Sequence, residues 1–174
     1  MLARRDADPE NTVLRTSKFV CLFLTALGLV FGGAHVLELP AKMEYDPELY
    51  ATVTSTLYRL FGLVGGPLQI AAILAAALLT VLVRHTPTFR PTLAGTLGLV
   101  LSLVLWSVLV APVNAEWGEV LRSAPEAVPA AYARLRPRWE YGHVAAFGAW
   151  LVGFGLLLLA VVRETPAGRV ERGA

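Results

Sequence analysis

The chain has 174 residues, of which 56% are hydrophobic and 16% are charged, and its mean hydropathy is +0.60. This composition is typical of integral membrane proteins and leaves little sequence for a soluble domain. The formal net charge is only +2. The expected partners are the lipid bilayer and a hydrophobic small molecule, with no nucleic acid, and the sequence leaves the oligomeric state open.

Four apolar runs cover residues 19–39, 60–83, 93–113 and 143–162. Each is long enough to cross a hydrocarbon core about 30 Å thick, which takes roughly 20 helical residues. The pattern predicts an all-α integral membrane protein, an antiparallel bundle of four transmembrane helices at 19–162 with polar tails at 1–18 and 163–174. The first run is too long for the core of a signal peptide and is predicted to be a retained span. Cys21 is the only cysteine, so no intrachain disulfide can form.

Basic residues are unequally divided between the two ends of such a bundle. The two tails and the 84–92 connection share one side, which carries nine of the fifteen Lys and Arg residues but only five of the thirteen acidic residues. Because positively charged loops stay inside, this asymmetry predicts that both termini are cytoplasmic and that the protein lies in the cell (inner) membrane. The two other connections then face outward.

Several connections carry specific signals. The order Asp46-Pro47-Glu48 predicts a helix start, with Asp as the N-cap and Pro at the first helical position. Pro67, after two glycines, is expected to kink or break the second span. The segment 114–142 holds three prolines and is expected to be a loop with one short interfacial helix, acting as an anchor or as a lid.

Ionisable and polar residues gather at the outer ends of the four runs. His35 and Glu38 end the first run, Asn114 follows the third, and Arg138, Glu140 and His143 begin the fourth. Arg59 opens the second run, and Trp117 and Trp139 lie in the 114–142 connection, so these three are predicted to line the same site. Ionisable residues at membrane level are costly and indicate a functional site. The interior holds no ionisable residue near its midplane, which argues against a proton-coupled transporter.

Two mirrored pairs, His35 with Glu38 and Glu140 with His143, have the i, i+3 spacing that places both members on one helix face. Three interpretations stay open. The four side chains could hold a transition metal ion, since Glu-x-x-His is the pattern of di-iron helix bundles. They could form a metal-free acid/base site. Alternatively, both glutamates could pair with Lys42 or nearby arginines and join the helix ends.

Two motifs resemble the anthrone-oxygenase-like family of small membrane proteins, most of whose bacterial members have no known function. They are Pro112-Val113-Asn114, at the end of the third run, and the segment 136–143, which reads Arg-Pro-Arg-Trp-Glu-Tyr-Gly-His. The resemblance covers residues 19–162 and implies a four-helix membrane bundle that oxidises an anthrone to an anthraquinone with dioxygen, without an added cofactor. Asn114, Trp139 and His143 are the matching positions, whereas the His35 to Lys42 segment departs from the family's pattern.

Two functions follow as hypotheses. The first is a membrane oxygenase or oxidoreductase that acts on a lipid-soluble aromatic or quinone-like molecule. In it, His35 or His143 removes a proton, Asn114 and Arg138 stabilise the oxyanion, and dioxygen is the co-substrate. The alternative is a non-catalytic membrane protein whose outer ionic cluster is structural or binds a partner or a lipid.

Overall fold

The computed structural model describes residues 9–164, and within that range the chain forms helices and no strand. The helices are α1 (Pro9–Lys42), α2 (Pro47–Thr56), α3 (Tyr58–Leu82), α4 (Phe89–Leu105), α5 (Ala111–Ser123) and α6 (Val128–Glu164). A π-helical turn, Trp106–Val110, joins α4 to α5, and a short 3-10 turn, Pro125–Ala127, precedes α6.

Four helical segments are long and apolar enough to cross a membrane: Asn11–Lys42, Tyr58–Leu82, Phe89–Ser123 and Val128–Arg163. The predicted all-α bundle of four spans is confirmed, and the chain is a multi-pass membrane protein.

The helices extend beyond the apolar runs at the polar ends. α1 begins at Pro9, so residues 9–18 of the predicted N-terminal tail are helical, and α6 ends at Glu164. The rest of the two predicted tails, residues 1–8 and 165–174, lies outside the described residues. The expected loop at 114–142 is mostly helical, since α5 continues to Ser123 and α6 already begins at Val128. Apolar sequence marks the part of a helix that lies in lipid, whereas a helix in water can continue through polar residues. The prediction of a loop there was wrong for this reason.

The start of α2 follows its sequence signal. The Asp46 side chain accepts a hydrogen bond of 2.8 Å from the Leu49 backbone N–H, and Pro47 is the first helical residue. This N-cap was predicted and is confirmed. Only Leu57 separates α2 from α3, and α3 continues through Pro67 to Leu82, so a break at that proline was wrong.

The third and fourth spans pack backbone to backbone against each other. Ser102 donates a 2.7 Å hydrogen bond to the Ala146 carbonyl, and a Cβ added at Gly98 would lie 2.8 Å from the Cα of Gly153. Lipid supplies no hydrophobic driving force between helices, so dispersion contacts must hold the helices together. Small residues strengthen these contacts because they let the two backbones approach closely. α4 and α6 therefore form the most closely packed pair of spans.

α1 runs antiparallel to α6. Trp150 donates a 2.9 Å hydrogen bond to the Thr25 carbonyl, and farther along, Gly32 packs against Phe147. Because the residue number rises along α1 where it falls along α6, His35 reaches the level of His143. One buried apolar cluster lies toward the opposite end of the bundle and consists of Cys21, Ala72, Ala76, Leu79, Val83, Leu99, Trp150 and Leu157. A second lies at the same end as the two histidines and consists of Val110, Val113, Ala131, Leu135 and Trp139.

Candidate functional site

A cavity of about 670 Å³ lies between the helices at the end where α1 finishes and α3 begins. This volume is within the usual range for small-molecule sites, about 300–1,000 Å³. Nine aromatic side chains line it: Phe31, Tyr50, Tyr58, Phe61, Trp106, Trp117, Trp139, Phe147 and Trp150. A cavity with nine aromatic rings in its wall suits an apolar, ring-bearing molecule.

Two histidines from different helices meet in the wall of this cavity. The ring centres of His35 and His143 are 4.1 Å apart. His35 is buried, with Tyr58 stacked on it at 4.8 Å and the edge of Trp139 at 5.1 Å. The antiparallel packing of α1 and α6 therefore brings together the two histidines that the sequence placed at equal depth.

The hydrogen bond of His143 fixes the form of its imidazole ring. Nδ1 lies 2.9 Å from the backbone carbonyl oxygen of Trp139, one turn earlier in α6. Because a carbonyl oxygen only accepts, Nδ1 must carry the hydrogen. In the neutral ring Nε2 is then the unprotonated nitrogen, which is the arrangement that a general base requires.

His35 has a different environment. Its side chain is only 6% exposed and lines the cavity, and within the described part of the chain no hydrogen-bond partner reaches its Nδ1. A buried polar atom without a partner is destabilising and is rare in folded proteins. Such an atom can be explained by a bound molecule that forms the missing hydrogen bond, so Nδ1 of His35 is a candidate contact for a ligand.

Asn114 lies beside the histidine pair. It lies inside α5, nine residues before the end of that helix, so it is not a helix C-cap. Its side-chain carbonyl accepts a 2.7 Å hydrogen bond from Nε1 of Trp139. Because this bond uses the oxygen, the amide NH2 is the group that Asn114 can present to the cavity it lines.

The two glutamates are held away from the histidines by Lys42. Nζ of Lys42 lies 2.9 Å from Glu140 and 3.8 Å from Glu38, and it sits over the rings of Tyr58 and Trp139 at 5.0 and 4.8 Å. Lys42 and Glu140 are both fully buried. A buried charge is stable only when paired, and the aromatic faces add cation–π attraction to the ion pair.

Two tyrosines complete the bonding of these carboxylates. Tyr50 donates a 3.1 Å hydrogen bond to Glu140, and Tyr58 donates to Glu38. Burial, together with the negative charge of Glu140, raises the pKa of Tyr50 above its usual value. The Tyr50 hydroxyl therefore stays protonated and remains a donor to Glu140.

The predicted metal set of His35, Glu38, Glu140 and His143 does not assemble. The carboxylates turn toward Lys42 and the tyrosines, while the imidazoles stack among aromatic rings. Among residues 9–164, no group of three or more His, Cys, Asp or Glu side chains has the geometry to hold a metal ion. The i, i+3 spacing placed each pair on one face but could not show that a lysine lies between the two acids.

Arg138 does not reach the cavity, although the sequence assigned it a role in stabilising an oxyanion. Its NH2 group donates a 2.9 Å hydrogen bond to the backbone carbonyl of Val108, four residues before Pro112. A proline has no N–H to bond the carbonyl of residue i−4. Arg138 therefore bonds the Val108 carbonyl, which Pro112 leaves without a backbone donor. This carbonyl lies within the π-helical turn, in which the Ala111 N–H donates to the Trp106 carbonyl.

The remaining predicted residues do line the cavity. Arg59, Trp117 and Trp139 are all part of its wall. Trp117 also donates a 3.3 Å hydrogen bond to Thr54, which joins α5 to α2. The catalytic and ligand-contacting roles of these residues remain predictions.

The sequence did not single out several residues that shape the site. Arg136 lines the cavity and donates a 2.9 Å hydrogen bond to the Met43 carbonyl, which ties α6 to the end of α1. Tyr50 and Tyr58, which bind the two glutamates, were not predicted to be site residues either. The available signal was that a lysine and two tyrosines surround the acids near the ends of the first and second runs, but their pairing depends on packing.

No protein-family model, curated protein or solved structure matches the chain. The resemblance to the anthrone-oxygenase-like family therefore stays a prediction.

Proposed function

We propose that the protein is a membrane enzyme of the oxygenase or oxidoreductase class that acts on a lipid-soluble aromatic or quinone-like molecule. The observation that supports this most is His143, whose Nδ1 bonds the Trp139 carbonyl while the ring borders an aromatic cavity of about 670 Å³. A positioned base beside an apolar binding space is the minimum that proton abstraction from such a molecule requires.

The reaction begins with proton transfer to Nε2 of His143. The substrate is a ring system with an acidic CH2 group that is conjugated with a carbonyl, as in an anthrone, and loss of one proton leaves a carbanion whose charge is shared with the carbonyl oxygen. Dioxygen, which dissolves readily in lipid, adds to the carbanion. The resulting peroxide anion takes back the proton from His143, and the hydroperoxide then loses water to leave a carbonyl. In the overall change a ring CH2 and one O2 become a ring carbonyl and one H2O, so dioxygen is the oxidant.

Asn114 is the proposed oxyanion donor. Its bond from Trp139 holds the amide plane, so that the NH2 group is directed by the same residue that binds His143. Removal of one such donor costs about 10²–10³ in turnover in enzymes with an oxyanion hole. Arg138 is not assigned this role, because it bonds Val108.

The acidic half of the cluster has a structural role in this proposal. Glu38 and Glu140 bind Lys42, Tyr50 and Tyr58, and they join the end of α1 to α2, α3 and α6. The alternative hypothesis of a non-catalytic ionic cluster thus applies to the acids. The histidines and Asn114, which face the cavity, carry the proposed chemistry.

The orientation of the protein is part of the proposal. The charge asymmetry supports cytoplasmic termini in the inner membrane, which places the cavity near the outer surface. The turn at residues 83–88 would then be cytoplasmic.

The test uses the protein purified into lipid nanodiscs and supplied with anthrone, with dioxygen uptake and anthraquinone absorbance followed together. Anthrone oxidises slowly by itself, so the rate in empty nanodiscs is subtracted. We expect His143→Ala to lower turnover by about 10²–10⁴, the usual contribution of a general base. Asn114→Ala is expected to have a smaller effect.

The matched control is His85→Ala. This histidine lies in the turn at the other end of the bundle and contacts Arg84 rather than the cavity. Its removal should leave turnover unchanged. Equal rates for His143→Ala and the wild type, or no oxidation above the empty nanodiscs, would refute the proposed function.

A further inference from the structure

α3 and α4 are joined by hydrogen bonds near the turn that connects them. The hydroxyls of Thr80 and Thr96 are 2.9 Å apart, and Thr96 also donates to the Ala76 carbonyl. All three residues are buried. This contact closes the two spans at the end of the bundle opposite the cavity.

A second contact joins the second and third spans at the end of the bundle that holds the cavity. Trp117 of α5 donates to Thr54 of α2, and the Trp117 ring lies 6.0 Å from that of Tyr50. α2 leads into α3 through Leu57, and the third span continues from α4 through the π-helical turn into α5. The second and third spans are therefore connected at both ends.

The wall between these two contacts is open. Gly62 and Gly66 of α3 are exposed and line the cavity, and a Cβ added at either would have no atom of the described residues within 4 Å, apart from chain neighbours and the helix's own backbone. Ile70 continues this face of α3, and Leu103 and Trp106 line the cavity from the third span. All five lie inside the candidate spans.

We propose that the gap between Gly62, Gly66, Leu103 and Trp106 is a lateral window, through which a lipid-soluble, ring-bearing molecule enters the cavity directly from the bilayer. The identity of this molecule as a substrate rests on the proposed function. The window itself rests on the two closures and on the side chain behind it, His35, whose unpartnered Nδ1 is buried in the cavity wall.

The occupant has a defined chemistry. Because the window opens at the level of the spans, the molecule that reaches it is dissolved in lipid rather than in water. Because the polar atoms lie behind the window, it carries at least one oxygen or nitrogen that can bond His35 or Asn114. The glycines set the size limit, since any side chain at these positions would occupy the opening.

The test measures access to a thiol inside the cavity. Ala146 is buried and lines the cavity, so Ala146→Cys in a Cys21→Ala background places one thiol there. Ser102 is also buried and lines the cavity, so Ser102→Cys in the same background supplies a second target if the first variant folds poorly. In vesicles, neutral N-phenylmaleimide, which partitions into lipid, is compared with a membrane-impermeant sulfonated maleimide. Labelling is measured only on the fraction of each variant that is folded.

We expect N-phenylmaleimide to label the thiol and the sulfonated reagent to fail. Adding Gly62→Trp should slow labelling by about tenfold or more, because thiol reactivity depends on access. The matched control is Gly148→Trp, at another exposed glycine with open space around it that does not line the cavity. Its labelling rate should equal that of the parent.

An unchanged rate with Gly62→Trp, faster labelling by the sulfonated reagent, or no labelling by either reagent would overturn the window. The result is separate from the proposed chemistry, because His143→Gln should abolish anthrone turnover without changing the labelling rate. Loss of turnover in His143→Gln with an unaffected Gly62→Trp labelling rate would therefore reject the window and retain the function. Slower labelling in the Gly62→Trp variant, together with full turnover in the His143→Gln variant, would retain the window and reject the proposed function.

Discussion

Nζ of Lys42 and Oε2 of Glu140 lie 2.9 Å apart, and each side chain is only 1% exposed. The pair joins the last turn of α1 to α6, and Lys42 follows His35 by about two helical turns along α1. Its partners on every side are specific: Tyr50 and Glu38 supply hydrogen-bonding or charged oxygens, and two aromatic rings face the ammonium group.

Removing one member of this pair should be strongly destabilising. We expect Lys42→Met to lower the free energy of unfolding by about 3–5 kcal/mol, because a buried carboxylate loses its counter-charge. The double variant Lys42→Met/Glu140→Gln should recover much of this loss, since it leaves no uncompensated charge. Unfolding in a detergent series measures both.

The control for this prediction is the exposed ion pair of Arg122 with Glu119. Arg122→Met should leave stability unchanged, since exposed ion pairs are screened by water. A double variant as unstable as Lys42→Met alone would show that the loss comes from packing rather than from charge.

Arg138 is predicted to affect stability and not catalysis. Arg138→Met should lower the free energy of unfolding by about 0.5–1.5 kcal/mol, because the Val108 carbonyl loses its hydrogen bond. In a Pro112→Ala background the loss should be smaller, since the new N–H can bond that carbonyl. A double-mutant cycle measures this coupling. A fall in anthrone turnover with unchanged stability would instead support an oxyanion role for Arg138.

Tyr50 predicts a dependence of stability on alkaline pH. Burial and Glu140 raise its pKa in the folded protein above the ordinary value of 10.0. Below pH 10 the phenol is protonated in both states, so its contribution is fully present. Above pH 10 the unfolded chain releases this proton while the folded protein keeps it, so stability falls as pH rises.

The measurement is unfolding of the wild type and Tyr50→Phe between pH 7 and pH 11. The wild type should be the more stable protein at neutral pH, by about 1–3 kcal/mol, because it keeps the bond to a buried carboxylate. The difference should shrink above pH 10. A constant difference across the series would contradict the raised pKa of Tyr50.

Gly98 is predicted to be intolerant of any larger residue. A Cβ there would lie 2.8 Å from the Cα of Gly153, so Gly98→Leu must push α4 away from α6 and should cost about 1–3 kcal/mol or more. Gly155→Leu is the matched control, since that glycine has open space around it. Thermal unfolding in detergent compares the two variants, and equal midpoints would refute close packing at Gly98.

Some features of the site could be read from local spacing. The equal depth of His35 and His143 followed from their positions in two antiparallel spans, and the bond between Asp46 and Leu49 followed from a capping pattern within four residues. The predicted metal-binding set and the predicted oxyanion role of Arg138 could not be judged from local spacing. Both depend on which side chain approaches from another helix, and a one-dimensional pattern holds no such information.

The sequence by itself determined the four spans, because hydrocarbon excludes unbonded backbone groups and only long apolar helices satisfy this condition. It also determined which end of the bundle is polar. The tertiary structure decided how that polar end is divided, with Lys42 binding both acids and aromatic rings surrounding both histidines. The physical reason is that a buried charge takes the nearest opposite charge in space, and spatial distance is set by helix packing rather than by separation along the chain.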